Sequence, residues 1–421
     1  MKKSTRSFKP VQALTGKYGA LLLTAMNAVL ACLTITLSRY WSSLGTLQTA
    51  TDFMTFFLPD YRFGFVSRAL VGSALYLFTD HPTVRIVSTV LYVVVFCVGA
   101  LFCFLQAKLA KKTLLACDYA TLVLGYVFFL NKLFWWNTVQ EIGMLDVFMT
   151  LLAQGFLLAV ERKRTLGYCL APVVCFLGLL VHTAFFFAGF PVVAAILWYE
   201  LLKQGKPNRL CGVMFAVTCV VSVALFAMFT LFPQKFVRVA PDEMIAMLKA
   251  KYDGDIQDTY LLSHMFRTNA EQYPDTIDAA GFLQYAATRT DFFSPKLRRC
   301  LWNLLPLSIP YVYGCVSHAR RSGHRLIAYL GCIAPLVTLF PSLHFSSDKE
   351  RHFSLCILAL YMLFHYLSTQ SDVRFLPAAD DLRRKERSAR DADKRRKNYA
   401  FVLIACTAAG LVFSFVGAAK L

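Results

Sequence analysis

The chain has 421 residues, 57% of them apolar, and a mean hydropathy of +0.52. This composition excludes an ordinary soluble domain of that size and indicates a protein whose solvent is the bilayer. The net charge of +19 does not indicate nucleic-acid binding, because the basic residues lie in short segments between apolar runs and not on one soluble module. Most of the 13 cysteines lie inside apolar runs, so they are expected to pack as small apolar side chains.

Long apolar runs bounded by charged residues predict an all-α fold, a polytopic bundle of about eleven transmembrane helices. A crossing needs roughly 20 apolar residues, and each predicted span is close to that length. In chain order the predicted spans are 19–38, 86–106, 113–130, 144–160, 165–181, 184–202, 210–232, 301–317, 326–341, 354–369 and 399–419.

Clusters of lysine and arginine orient these spans. Lys2, Lys3 and three further basic residues precede the first span, which predicts a cytoplasmic N-terminus and an uncleaved anchor. The loops expected on that same side each hold a basic cluster, so the chain is predicted to lie in the cell membrane with an external C-terminus. These loops are 107–112, 161–164, 203–209, 318–325 and 370–398.

The same pattern divides the chain into three parts. They are a transmembrane core with its outer loop 233–300, a basic cytoplasmic loop and a C-terminal transmembrane helix, over residues 1–369, 370–398 and 399–421. Two stretches leave alternatives open, because 165–202 is long for one helix and short for two, and 326–341 contains Pro335. Broken or re-entrant helices are possible at both.

Two outward segments are expected to be helical without crossing the membrane. Phe65 to Phe78 is a 14-residue apolar stretch, too short for a span and suited to an interfacial or re-entrant helix. In the large outer loop, Pro241-Asp242-Glu243 is a helix-start signal. This loop could pack as a lid over the membrane part.

Several outer polar residues have a structural interpretation. Thr138 to Glu141 and Ser347 to Glu350 match the capping box, and Asp242 and Glu243 are first-turn acids that the helix dipole favours. Asp146 is different, because it is expected eight residues beyond the Thr138 cap, inside an apolar span. Such a carboxylate is costly in a membrane and normally faces a water-filled cavity or a paired cation.

The densest polar motif on the outer side is Asp60-Tyr-Arg62-Phe-Gly-Phe-Val-Ser-Arg68. Guanidinium groups grip phosphates bidentately, so Arg62 and Arg68 are candidate ligands of a lipid phosphate or diphosphate. The alternative is that both only snorkel to lipid headgroups. Asp60 and Asp52 are the nearest carboxylates in sequence, and either could accept a proton or hold a divalent cation. Asp52 could also be an N-cap, and Asp60 a turn residue after a proline.

Two further candidate groups lie at predicted outer ends of spans. Asp348, Arg351 and His352 can share one helix face, either as a solvated helix start or with Arg351 as a second phosphate ligand. His182 lies at the turn between two spans, as a packing residue or as an acid, base or hydroxyl-binding group.

An acidic first outer loop, an interfacial helix after the first span and a large late outer loop together resemble the GT-C superfamily of membrane glycosyltransferases and the related polysaccharide polymerases. The phrases Tyr-Arg-Phe-Gly-Phe-Val-Ser-Arg and Asp-Lys-Glu-Arg-His are similar to positions in bacterial membrane proteins of that kind. The resemblance covers the architecture of most of the chain. It implies an enzyme that takes a sugar from a polyprenyl phosphate or diphosphate and gives it to a glycan or lipid acceptor on the outer face.

The resemblance also implies roles for the candidate residues. Asp60 would be the base, with Asp52 as the alternative carboxylate. The phosphate ligands would be Arg62, Arg68 and Arg351, and Asp146 and His182 would contact acceptor or sugar. The sequence departs from the pattern in lacking adjacent acids in the first loop, which leaves dependence on a divalent cation, Mg²⁺ or Mn²⁺, open.

Three other functions stay open. A polysaccharide polymerase or ligase would use arginine and histidine in place of a carboxylate base. A transporter or lipid flippase would want polar residues and broken helices near the bilayer midplane, often in paired halves. A structural assembly subunit is the third alternative.

Overall fold

The computed structural model describes ten stretches of the chain, and within them the protein is helical and contains no strand. The helices are α1 (Ala69–Leu75), α2 (Val84–Lys112), α3 (Asp146–Arg162), α4 (Arg164–Val181), α5 (Phe185–Ala188), α6 (Phe190–Lys203), α7 (Arg209–Leu231), α8 (Pro241–Lys249) and α9 (Lys349–Thr369). The described residues are 57–66, 68–112, 145–203, 208–231, 236–254, 256, 308–309, 311–312, 315 and 349–369.

Within the described stretches, four segments are long and apolar enough to cross a membrane: Val84–Phe102, Arg164–Val181, Phe185–Leu202 and Arg209–Thr230. They confirm helices at four of the predicted spans. Helices α3 and α9 also form where spans were predicted. The predicted spans at 19–38, 113–130, 326–341 and 399–419 lie outside the described residues.

The ambiguous stretch 165–202 forms two separate antiparallel segments. Helix α4 ends at Val181, and the chain turns through His182 into α5 and α6. The two segments run back alongside each other, because Arg164 Nε at the start of α4 lies 3.4 Å from Glu200 Oε2 near the end of α6. Two helical segments therefore form where two spans were predicted, and the second is broken at Gly189 between α5 and α6.

Packing around α4 explains why some helical positions must be glycine. Helix α4 contacts both α3 and α7 along its length, and the ring of Phe185 is wedged against two glycines. A Cβ at Gly178 would lie 2.5 Å from Cγ of that ring, and one at Gly189 would lie 2.3 Å from Cε2. Both approaches are far closer than van der Waals contact allows.

We expect Gly178→Ala to destabilise the protein and Gly155→Ala to do the opposite. Both glycines lie in helix interiors, but a Cβ at Gly155 on α3 would meet nothing within 4 Å. The alanine at 155 should therefore add up to about 1 kcal/mol of helix propensity, while overpacking at 178 should cost about 1–3 kcal/mol. Thermal unfolding of the two purified variants in one detergent measures the difference. Equal midpoints would contradict the close packing of Phe185.

The first outer loop and the later outer loop are fastened to each other at one end of the bundle. Phe65 N donates to Phe236 O at 3.1 Å, and Arg238 N donates to Phe63 O at 2.8 Å. Gly64 sits between them at φ +118°, where a Cβ would lie 2.1 Å from the carbonyl oxygen of Phe236. Only glycine fits this close crossing of two backbones.

Helices α1 and α8 agree with the sequence-based expectations for the outward segments. Helix α1 has seven residues, a rise of about 10 Å, so the described part of the Phe65–Phe78 stretch does not cross. Helix α8 begins at Pro241 with Asp242 and Glu243 in its first turn. Beyond it, Asp253 Oδ1 accepts from Val84 N at 2.9 Å and so caps α2. This part of the outer loop therefore covers the end of the bundle, as a lid would.

Candidate functional site

Asp60 and Arg62 form one tight unit in the first outer loop. Asp60 caps the short 3₁₀ turn Tyr61–Phe63, because its Oδ1 accepts from Arg62 N at 2.7 Å. Its Oδ2 accepts from the Arg62 side chain, from Nε at 2.8 Å and from Nη2. Asp60 is 2% exposed, whereas 47% of the Arg62 side chain is exposed. The hydrogen bond from Asp60 raises the pKa of Arg62.

This geometry changes the chemistry expected of Asp60. Both of its oxygens already accept hydrogen bonds from Arg62. A carboxylate has about four acceptor positions, and three of those of Asp60 are used by Arg62. As described, Asp60 therefore holds Arg62 in position, and its predicted roles as base or cation ligand stay predictions. Asp52, the alternative carboxylate, lies outside the described residues.

The Arg62 guanidinium lies over the ring of Tyr76, with Cζ 4.4 Å from the ring centroid. Lys251, just after α8, approaches the same ring at 5.6 Å. Burial raises the pKa of Tyr76 to about 12, so this phenol stays protonated and can donate. Within the described residues its hydroxyl has no hydrogen-bond partner. Sequence reasoning missed Lys251, because its place beside Tyr76 depends on the fastening of the two outer loops.

Arg68 and His182 meet in a buried contact 114 residues apart in sequence, with Arg68 Nη2 2.8 Å from His182 Nε2. Arg68 is 9% exposed and His182 7% exposed. Arg68 precedes α1 at φ +70°, the left-handed region that an arginine rarely adopts. Its backbone N–H donates to Leu180 O at 3.0 Å. That bond ties the start of α1 to the end of α4.

The protons of His182 decide what this pair can bind. Nδ1 of the ring accepts from Ala184 N at 2.9 Å, which puts the hydrogen of a neutral ring on Nε2. Nε2 then approaches the arginine donor as a donor itself. Both groups therefore present N–H donors here, and an anionic oxygen is a strong acceptor for such donors.

An apolar cavity of ≈ 280 Å³ is bounded by α1, α2, α3 and α4, and its lining includes neither Arg68 nor His182. Two of its lining residues adjoin the pair in sequence, since Val181 precedes His182 and Leu70 follows Arg68 by two positions. The rest of the lining is also apolar, including Ala74, Val87, Phe148 and Leu177. The cavity and the Arg68–His182 pair therefore share the helices α1 and α4.

Asp146 lies in the first turn of α3, with Leu145 as its N-cap. The expectation that it sits eight residues inside a helix was therefore wrong. Asp146 is 3% exposed, and the positive end of the helix dipole favours a carboxylate there. Its first-turn position thus explains the carboxylate of Asp146. Glu161 lies about 22 Å away, at the other end of α3.

The remaining predicted site residues are placed only in part. Helix α9 begins at Lys349, so the backbone of Arg351 and His352 is helical. Their side chains and all of Asp348 lie outside what the structure describes. His365 of α9 contacts α2 at the basic end, so Arg351 lies about 21 Å away, toward the outer end. No group of three or more His, Cys, Asp or Glu side chains that could hold a metal occurs in the described stretches.

Sequence reasoning missed a buried polar network at the basic end. Glu161 accepts from Lys108 Nζ at 3.0 Å and from Thr369 Oγ1 at 2.8 Å. Fully buried Glu200 accepts from Tyr168 Oη at 2.9 Å and from Tyr366. The argument applied to Asp146, that an acid in an apolar helix needs a partner, identifies Glu200 from sequence equally well.

Comparison with known protein families, with curated proteins and with solved structures found no match. The site must therefore be interpreted from its own geometry.

Proposed function

We propose that the protein is a membrane glycosyltransferase that takes a sugar from a polyprenyl phosphate or diphosphate donor and transfers it to a glycan or lipid acceptor outside the cytoplasm. The observation that carries this proposal is the buried Arg68–His182 pair, which joins the start of α1 to the end of α4, two of the helices that bound an apolar cavity. A lipid-linked phosphate has the matching chemistry, an anionic oxygen beside a long apolar chain. The basic end would be cytoplasmic.

Each part of the site has a task in such a reaction. The acceptor hydroxyl attacks the anomeric carbon, the bond from that carbon to the phosphate oxygen breaks, and the phosphate leaves with the electron pair. Arg68 and the Nε2–H of His182 would hold the departing anion, where stabilising charge lowers the barrier. Arg62, half exposed and fixed by Asp60, would bind a second phosphate oxygen.

The proton of the acceptor hydroxyl would pass to an oxygen of the departing phosphate, since Asp60 as described is engaged by Arg62. This observation favours the second candidate, a polysaccharide polymerase or ligase whose chemistry relies on arginine and histidine. Both candidates use a lipid-linked donor and the same phosphate-binding residues. They differ in whether a carboxylate is essential.

A deletion strain tests the proposal directly. Cells lacking the protein should accumulate a polyprenyl-linked sugar and lose the envelope glycan built from it, because the donor is no longer consumed. Mass spectrometry of lipid extracts and glycan analysis measure the two changes, and wild-type protein supplied in trans should reverse both. Unchanged lipid-linked intermediates and glycans would contradict the proposal. Donor trapped on the inner leaflet with transfer intact in broken membranes would favour a flippase.

A further inference from the structure

His365 and Glu161 make a buried contact at the basic end that the proposed function does not use. His365 is fully buried on α9, and its Nε2 lies 2.7 Å from the carbonyl oxygen of Leu105 on α2. A carbonyl oxygen can only accept, so Nε2 carries a hydrogen. The other ring nitrogen, Nδ1, lies 3.1 Å from Glu161 Oε1 on α3, at ion-pair distance though without good hydrogen-bond alignment.

The number of protons in this contact follows from those two neighbours. A neutral imidazole has one N–H, and here it is at Nε2, so Nδ1 would turn a lone pair toward the lone pairs of an ionised carboxylate. That approach is repulsive unless a proton lies between the two groups, on Nδ1 as imidazolium or on Glu161 as a carboxylic acid. We infer that Glu161 and His365 form a buried proton-binding site, which ties α9 to α2 and α3 when it is occupied.

The charged groups around Glu161 and His365 determine how one bound proton changes the net charge of this region. Lys108 on α2 forms an ion pair with Glu161. On α9 itself, Thr369 donates to Glu161, and the Tyr361 ring lies 6.1 Å from the imidazole. From α4 and α6 the neighbouring network adds Arg164 and Glu200, which pair at 3.4 Å. Among these described groups the two carboxylates balance Lys108 and Arg164, so the bound proton adds one positive charge to an otherwise neutral cluster.

Water can supply and remove this proton at the basic end. The Lys108 side chain is 35% exposed, whereas that of Glu161 is 7% exposed, so the lysine marks the solvent side of the pair. Occupancy should be complete at lower pH and lost as the pH rises. Loss of the proton weakens the attachment of α9, the helix that carries Arg351 and His352 at its other end.

The inference does not depend on the glycosyltransferase proposal, and stability measured against pH tests it. Full-length protein in detergent would be unfolded thermally at one scan rate, from about pH 5.5 to about pH 8.5, the range in which histidine titrates. We expect the wild-type midpoint to fall by about 5 °C as the pH rises, because a buried pair that loses its shared proton becomes repulsive.

Two substitutions should flatten this dependence for different reasons. In Glu161→Gln an amide N–H can donate to the neutral Nδ1, so the contact no longer needs an extra proton. In His365→Gln the side-chain amide keeps a donor for Leu105 O but removes the titrating nitrogen. Exposed His81 provides the matched control, and His81→Gln should keep the wild-type dependence.

A flat wild-type profile overturns the inference without any variant. It is also overturned if both Glu161→Gln and His365→Gln retain the wild-type fall, which would show that other groups cause it. If one variant fails to express, the other and the wild type still decide.

Discussion

Replacing Arg68 with lysine should lower kcat/KM for the lipid-linked donor by about 10- to 100-fold. Hydrogen bonds to a charged group contribute about 1.5–3 kcal/mol, and lysine keeps the charge but loses the planar fork that grips a phosphate with two donors. The buried position of Arg68 beside His182 leaves little room for water to compensate. Initial rates in membranes with varied donor measure the effect.

Arg85→Lys is the matched control, because Arg85 is an exposed arginine near the start of α2. It should behave as wild type. Saturating donor should recover part of the rate of Arg68→Lys, since some of the lost interaction holds the donor before reaction. If Arg68→Lys and Arg85→Lys have the same kinetics, the buried pair is not the phosphate site. The proposal would then lose the observation that carries it.

The helices were predictable because their signals are local. Apolar length with flanking charge located α2, α4, α6 and α7, and the sequence Pro-Asp-Glu located α8. A bilayer leaves a chain few ways to satisfy its backbone, so such patterns translate directly into helices. The predicted span 144–160 begins only two residues before α3, but the choice of Thr138 as the helix cap made Asp146, a first-turn acid, look unexplained.

The candidate site could be predicted as a set of residues but not as a set of pairs. Arg68 and His182 were both candidates, yet their contact spans 114 residues and depends on how α1 packs against α4. For Asp60 and Arg62 the two-residue spacing was visible, but burial of the carboxylate and exposure of the guanidinium were not. Those two exposures decide whether Asp60 is interpreted as a base or as a residue that holds Arg62 in position.

Polar networks at the two ends of the bundle differ in kind. Where α1 meets α4 the Arg68 and His182 donors lie together, and a protonated phenol lies beneath half-exposed Arg62, a set of groups whose chemistry suits an anion. At the basic end carboxylates and cations are already matched across α2, α3, α4, α6 and α9. A closed network holds helices together, whereas an open one is suited to a ligand. This difference supports the proposal that the site lies at the end opposite the basic one.

Asp60→Asn should weaken donor binding more than it slows turnover. The asparagine can keep its oxygen facing Arg62 N, but its amide nitrogen then replaces the oxygen that accepts from Nε and Nη2. Arg62 would meet a donor where it had an acceptor and would turn into solvent, which its 47% exposure permits. We expect the KM for donor to rise about tenfold, turnover at saturating donor to stay close to wild type, and stability to fall by about 1–3 kcal/mol.

Asp253→Asn is the control for losing a carboxylate in general. Like Asp60, Asp253 accepts from a backbone N–H, but it does so at the start of α2, away from Arg62. It should leave donor KM unchanged and cost little stability, because the asparagine oxygen can still accept from Val84 N. Arg62→Gln should reproduce the KM of Asp60→Asn, and the double variant should be no worse than either, since both substitutions break one contact.

A loss of about 10²–10⁴ in turnover at saturating donor would instead make Asp60 the general base. The Asp60–Arg62 pair would then have to open before each transfer, and Arg62→Gln, which frees the carboxylate, would raise turnover where Asp60→Asn abolishes it.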